Sequence, residues 1–593
     1  MNPAAERNLD RLTLLLLAAM VVVPFQHSHH FNPIPSFFAE WWAALLGLAA
    51  CATVFLRPEA WQRFPIPAVL LAPLLMLGAL LFQYFSGRMA FVEQGLMFAS
   101  YLLWAMLLAC LGQDLRQRRG IDYLADGLAV AFLGGALLEA IVVVLEIRNA
   151  GLAGGWVFPR RYAPWGNVGQ PNHLNDYLWL ATASACFLWS RRHIGTTALV
   201  AAAGALIVAS ALTGSRSIVL YALALAGLGL VASRRGDRDM RRLRLATAAL
   251  PVAAMAAIVV AHWLGPVLYA DPGAGTLERF YADAASPSIR FKIWHSAWHA
   301  FVESPWVGHG IGSLPWQNYL ASTIFVPGQQ PPVAEHAHNL PLQMLVEFGA
   351  PLTLAAMAVV ALWIRRYLQR PWTPARWWLA ALLLVTGLHA MLEYPLWYTF
   401  FLGPVALLLG AGDEGRQRLA NGRRGLTAFV VVLALSGVIL GTLRHDFARM
   451  ERLLNWQVFG EGKELEWPTA VDTLLDLYRN SLLSPQANLV FAIMMQASTD
   501  NLDDRRYICG IARRFSPVTQ VVFKCALLEA MAGNDAEAER QLASALAAYP
   551  DKAALAAGAF ASETARLPFA EALRQQAAAA AARLSGERPV AAP

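Results

Sequence analysis

Charge is what this chain has least of. Only 15% of its 593 residues are Asp, Glu, Lys or Arg, against 57% hydrophobic, whereas soluble domains run nearer a quarter charged. An ordinary water-soluble globule is excluded. No glycine-rich phosphate loop is present, which disfavours an ATP-driven pump. Zinc-type Cys/His spacing and the nucleophile elbow of a hydrolase are missing as well. The formal charge of +7 does not point to nucleic acid, because the basic residues sit in short clusters between apolar runs, as membrane topology requires.

Apolar runs of about 20 residues are what the chain has instead, and a helix of that length spans a bilayer. They fall at roughly 11–26, 37–56, 67–85, 90–111, 124–147, 172–190, 194–213, 216–233, 245–268, 340–364, 376–395, 397–412 and 425–443. The expected fold is an all-α polytopic membrane protein with about 13 transmembrane helices, since backbone polar groups in lipid need internal partners. The first run follows Arg7 and Arg11 but meets Pro24, Phe25 and Gln26 rather than a small-residue cleavage site, so it reads as a retained span. Cys51, Cys110 and Cys186 lie in apolar runs as inert thiols.

One alternate set of connections carries twenty-three arginines, while the opposite short ones hold only Arg88, Arg148, Arg160, Arg161 and Arg216. The clustered side is then cytoplasmic. The loop around 148–171, a long loop from about 269 to 339 and everything after about 444 face outward. The expected division is a membrane domain, 1–443, containing the outer loop 269–339, and an outer domain, 444–593.

In that tail, Val521 to Pro550 reads as a helix, a turn at Gly533-Asn534-Asp535 and a second helix, with Ala526, Ala530, Ala543 and Ala547 small enough for close packing. This resembles one tetratricopeptide-like hairpin, whose usual use is peptide binding; a plain helical bundle is the alternative. Cys509 and Cys525 either bridge, as an oxidising compartment allows, or are unrelated thiols. The stretch from Ala577 onward is Ala-rich and expected to fray.

Outward polar residues are few. Arg216, in Thr213-Gly214-Ser215-Arg216-Ser217, either snorkels to the interface or faces an anionic partner inside the bundle. Arg290 and Lys292 begin an amphipathic helix in the long loop; a guanidinium matches pyrophosphate in a bidentate way that an ammonium does not, which favours Arg290. Glu335-His336-Ala337-His338-Asn339 precedes a helix near Leu340. Two histidines two apart are poor helix-face ligands, so a proton-accepting or orienting role is favoured over a metal. His27, His29 and His30 also face outward, where lining a loop or sitting at the interface is favoured over binding a metal. Gln170-Pro171-Asn172-His173 and Glu393-Tyr394-Pro395-Leu396-Trp397-Tyr398 place amides, a carboxylate and phenols at outer helix ends, where proline breaks the helix; Trp397 reads as an interfacial belt residue.

At these residues the chain resembles the bacterial O-antigen ligase and polymerase superfamily: Ser215-Arg216-Ser217, Arg290, and His338-Asn339 followed by Gly349. Leu352 departs from the ligase pattern, which expects Gly, Thr or Tyr there. Gln170 to Leu174, the Pro24 to Trp42 segment with His29, Pro33 and Glu40, and Leu392 to Tyr398 resemble the protein O-oligosaccharyltransferases of the pilin-glycosylation (PglL) type, and the outer tail fits them too. The resemblance implies an undecaprenyl-pyrophosphate-linked oligosaccharide as donor and a Ser or Thr hydroxyl of a pilin or other periplasmic protein as acceptor. It implies a Gram-negative inner membrane; the charge pattern with an odd number of spans puts the N-terminus on the cytoplasmic side and the C-terminus on the outer, periplasmic side. It makes Arg216 and Arg290 pyrophosphate binders and His338 the catalytic histidine, with Gln170, Asn172, His173, Lys292, Glu393, Tyr394 and Tyr398 as further substrate contacts. It implies that no nucleotide is needed and, as in the related ligases, no metal; the expected mechanism on these residues is in-line attack with inversion, with no cofactor and no nucleic-acid partner. The competitors are an O-antigen ligase acting on lipid A–core, an O-antigen polymerase, and a non-enzymatic transporter of lipid-linked glycan.

Overall fold

The computed structural model describes residues 3–57, 64–147, 156–158, 164–233, 238–268, 289–325, 329–414, 418–419, 422–455, 467–561 and 568–585. Parts of the outer loops, 148–155, 159–163 and 269–288, and the end of the tail, 586–593, lie outside them. Apart from one two-residue antiparallel pair, Phe64–Pro65 with Arg418–Leu419, the described residues form helices, turns and loops.

In chain order the helices that matter to the site are α1 Pro3–Val22, α2 Phe37–Ala52, α3 Leu71–Phe85, α4 Val92–Arg119, α5 Ile121–Ile147, α6 Pro171–Ser190, α7 Thr196–Leu212 and α8 Ser217–Ser233. They continue with α9 Arg238–Ala248, α10 Leu250–Leu268, α11 Ile289–Glu303, α12 Leu314–Ala321, α13 Leu340–Phe348, α14 Ala350–Leu368, α15 Pro374–Ala390, α16 Thr399–Gly412 and α17 Gly422–Leu454. Each of the thirteen apolar runs falls on helix. Eight helices among the described residues are long and apolar enough to cross a membrane: Ala4–Gln26, Phe37–Leu56, Ala68–Phe85, Val92–Arg119, Ile121–Ile147, Asp239–Leu264, Ala350–Leu368 and Arg423–Leu454. The chain is a multi-pass membrane protein.

One expected span is cut. The run 340–364 is two helices, because Gly349 sits at φ 77° between α13 and α14. A Cβ there would lie 2.5 Å from the Trp306 carbonyl carbon, so only glycine fits both the backbone and the space.

The chain divides into two compact units. The first comprises Met1–Leu77, Ser100–Pro287 and Ala355–Gly441; the second comprises Gly78–Ala99, Ser288–Leu354 and Thr442–Pro593. This differs from a cut near 443, since the long loop shares a core with the tail: Tyr319 of α12 packs with Val522, Ala526 and Leu542.

In the first unit, α6 is the hub, buried along nearly its whole length and packed on α5, α7 and α15. Its buried Trp179 donates to Ser210 at 3.0 Å, and Trp378 of α15 donates to Ser184 at 2.9 Å, as buried indole N–H groups require. Gly410 lets α16 meet α4 backbone to backbone at Ala109, the small-residue contact typical of membrane helices. Several clustered arginines do gather: Arg57, Arg118 and Arg119 around Asp10, and Arg116, Arg370 and Arg376 around Glu414.

In the second unit, the tail adds α18 Trp467–Asn480, α19 Ser484–Met494, α20 Leu502–Phe515, α21 Thr519–Met531, α22 Asp535–Ala548, α23 Ala553–Ala561 and α24 Pro568–Ser585. The hairpin α21–α22 forms around Gly533, as expected, but its second helix turns a different face inward. Ala538, Leu542 and Ala545 are buried while Ala543 is exposed, the inward set following helical spacing. Cys509 and Cys525 are bridged, joining α20 to α21. The Ala-rich end is helical to Ser585 with Ala577 fully buried, rather than frayed from that point.

Candidate functional site

The sequence-predicted residues fall into two sets. Arg216, Gln170, Asn172, His173, Glu393, Tyr394 and Tyr398 belong to the first unit; Arg290, Lys292 and His338 belong to the second.

In the first set, Gln170 is extended (φ −152°) and its side chain accepts from the His173 N–H at 2.6 Å. It caps α6, with Pro171 in the first turn where no N–H is needed. Its carbonyl oxygen thereby fixes the start of the helix. One residue on, Asn172 uses both ends of its amide. Nδ2 donates to Glu393 Oε1 at 2.8 Å, and Oδ1 accepts from Ser215 Oγ at 2.8 Å. Ser215 meets Ser217 at 2.9 Å, Asn175 donates to Ser217 at 2.9 Å, and Asn175 accepts from Ser210. The two serines flanking Arg216 are therefore locked to α6, and half-buried Arg216 is carried on that lock at the entrance to α8. In an apolar bundle each such bond is worth keeping, because a buried donor left without its partner costs about 1–3 kcal/mol.

His173 is buried among aromatic rings, with Tyr398 at 4.9 Å, His389 at 5.4 Å and Tyr394 at 6.1 Å between centroids. It packs the site wall rather than lining an open surface. The early segment ties in at two points. His30 sits between the Pro35 carbonyl (2.9 Å) and the Asn167 carbonyl (2.7 Å), three residues before Gln170. Glu40, bonded by Ser36 and Tyr101, has its backbone carbonyl held by Thr399, beside Tyr398, at 2.8 Å. The three motif regions read separately along the sequence thus form one hydrogen-bonded assembly. Asn175, Ser210 and Ser217 escaped the sequence reading. The available signal was Asn172, Asn175, Asp176 and Trp179 at helical spacing on an otherwise apolar helix.

In the second set, His338 has φ 50°, a left-handed conformation costing a non-glycine residue about 1–3 kcal/mol. Both neighbours hold it there. The Ala337 N–H donates to Gln343 Oε1 at 2.7 Å, and its carbonyl accepts from Trp294 Nε1 at 3.0 Å. Asn339 caps α13 through Leu342 N–H at 3.0 Å. Trp294 lies one helical turn after Arg290, so the two share a flank of α11, and that flank is the one bonded beside His338. Lys292 lies on the opposite flank. This geometry favours Arg290 over Lys292 independently of guanidinium chemistry. Beneath, buried Glu347 accepts from Gln343 at 2.8 Å and from the Gly312 N–H at 3.1 Å, and burial pushes its carboxyl up to about 8. Among the described residues, no group of three or more His, Cys, Asp and Glu is placed to hold a metal ion.

With that geometry in view, two family profiles match the chain. One, described as O-Antigen ligase, covers residues 201–357, which include Arg216, Arg290 and His338. The other, described as virulence factor membrane-bound polymerase, C-terminal, covers 377–562. The general O-oligosaccharyltransferase of Acinetobacter baylyi is 24% identical over 412 residues, 67% of this chain and 69% of that protein. The ComP-specific O-oligosaccharyltransferase of the same organism is 22% identical over 378 residues, 62% of this chain and 65% of that protein, a little under two thirds of its length. Over these stretches the chain is similar to the O-antigen ligase family and to O-oligosaccharyltransferases.

Proposed function

We propose that the protein is an oligosaccharyltransferase that moves a glycan en bloc from undecaprenyl-pyrophosphate to Ser or Thr hydroxyls of a pilin or other periplasmic protein. The observation that carries the acceptor class is the bonded assembly of the early segment, Gln170–His173 and Glu393–Tyr398, the motifs that resemble protein-directed members of the family. In this reading the acceptor oxygen attacks the anomeric carbon in line and with inversion. The carbon–oxygen bond to pyrophosphate breaks as the new glycosidic bond forms. Arg216 and Arg290 stabilise the negative charge that collects on the departing pyrophosphate, and His338 accepts the hydroxyl proton or orients the hydroxyl. The residues assigned here are this chain's own; no cofactor enters. The site faces the periplasm across a bacterial inner membrane.

The test is intact mass of the host's pilins with and without the protein, and with His338→Ala. The expected outcome is loss of the glycan mass in both deletion and variant; unchanged pilin mass in the deletion would refute a pilin as acceptor, and an unchanged periplasmic glycoprotein profile would refute the acceptor class. A second reading, transfer to lipid A–core, is favoured by the O-Antigen ligase description of the profile over 201–357. It predicts loss of long lipopolysaccharide instead.

A further inference from the structure

Helix α11 has two apolar faces, and among the described residues only one is packed into a core. Ile293, Ser296, Ala297 and Ala300 are buried, and the two alanines join Leu314, Ala337 and Val346 in a small core. At 100° per residue, Phe291, Trp298 and Val302 fall on the opposite side, where each is more than half exposed. Trp306, just past the helix, is 75% exposed. Lys292, His295, His299 and Glu303 occupy one strip between the two faces. A row of large apolar side chains facing outward marks an interaction surface.

The chain after α11 fixes where that surface sits. The Ala350 N–H donates to the Pro305 carbonyl at 2.7 Å, and the His309 and Gly310 N–H groups donate to Val346 and Glu347 at 2.8 and 3.0 Å. Gln83, near the end of the Ala68–Phe85 span, donates to the Glu347 carbonyl at 2.8 Å and accepts from the Ile311 N–H at 3.0 Å. Segment 305–311 is therefore strapped to the ends of two membrane spans, Ala68–Phe85 and Ala350–Leu368. Leu81, Phe82, Tyr84 and Phe85 on the first, and Leu354 and Met357 on the second, are exposed in the way lipid-facing residues are. Trp306, which continues the aromatic face of α11, lies within the strapped segment itself.

We propose that α11 lies in the headgroup–acyl boundary of the bilayer, with lipid covering Phe291, Trp298, Val302 and Trp306. Tryptophan and phenylalanine are the side chains that settle at that depth, and the flanking Lys292, His295 and His299 reach the phosphate layer. The seat does not depend on the transfer reaction. Its consequence does rest on that reading: Arg290, on the flank between core and lipid, is held at the depth where a polyprenyl pyrophosphate carries its charge.

The test places a spin label at Trp298→Cys, with His299→Cys as the polar-strip control, in protein reconstituted in nanodiscs. Cys51, Cys110 and Cys186 are buried and Cys509–Cys525 is bridged, so the introduced thiol is the one that reacts. The label at 298 is expected to relax with oxygen in preference to a water-soluble nickel chelate, and the label at 299 to show the reverse. Equal nickel access at both positions overturns the proposal. So does a 298 label that is open to nickel until acceptor protein is added, which would make the face a protein-docking surface. A second variant, Val302→Glu with Trp306→Glu, changes two exposed side chains outside the small core; it should raise KM for a full-length polyprenyl donor about tenfold while kcat stays within about twofold. An unchanged KM also overturns it. If the wild type transfers no glycan at all, the function fails while the label result still stands.

Discussion

Gln170 and Asn339 open their helices in the same way. Each is extended, each caps with its side-chain oxygen, and each is followed by a proline in the first turn. What surrounds them differs. Around Asn172 the polar groups bond side chain to side chain within a bundle, from Glu393 through Ser215 to Asn175 and Ser210. Around His338 the side chains of Trp294 and Gln343 hold backbone groups of Ala337, and the histidine stands half-buried in a conformation that its neighbours impose. The first arrangement makes rigidity from buried side-chain bonds; the second makes it from backbone clamps. Damage to the first should therefore appear in stability, and damage to the second in rate.

The largest effect separating them is expected at His338→Ala, a loss of about 100-fold or more in transfer to an acceptor peptide, with thermal unfolding of the detergent-solubilised protein unchanged or slightly raised. Full activity in that variant sinks its assigned role. Next come Arg216→Lys and Arg290→Lys, which keep charge and lose the bidentate fork. Each should cost about 10- to 100-fold in turnover, and a wild-type rate with lysine at either position removes that residue from the pyrophosphate. Asn172→Ala tests the buried network: about 1–3 kcal/mol of stability should go, read as a lower unfolding midpoint, whereas Trp294→Phe, which removes one donor to a backbone carbonyl, should cost about 1 kcal/mol or less and show mainly in kcat. The reverse order would break the comparison.

A pH dependence is expected as well. Burial holds Glu347 near 8, above its ordinary 4.5, so the folded state favours the protonated carboxyl. The stability this contributes is fully present below about pH 4.5 and is lost as pH rises through about 8. Glu347→Gln removes the titration, and its unfolding midpoint should vary less than wild type's between pH 5 and 8. An identical pH profile in the two proteins rejects this account.

Much of the fold was legible because lipid imposes long apolar runs, and all thirteen such runs are helical. The break at Gly349 was not, since hydropathy averages across a single left-handed residue; the Gly349-Ala350-Pro351 triplet was the sign, glycine ending one helix and proline starting the next. The division into units was obscured for a different reason. Tyr319 and Val522 share a core across about two hundred residues of chain, and no local pattern records such a contact. Among site residues, the motifs were visible as polar islands in apolar sequence. Asn175 and Ser210 were not, because their importance lies in bonding partners on other helices rather than in their own chemistry.

The Cys509–Cys525 bridge turns the tail into a reporter of biogenesis. Thiols left in the cytosol stay reduced, and a bridge persists only on the oxidising side of the membrane. On the proposed topology, with the tail outside, a chain whose tail failed to cross would carry two extra reactive thiols, and a gel-shift with a bulky maleimide would count such chains against those translocated. The fraction bridged measures insertion of the whole polypeptide, before any glycan is moved.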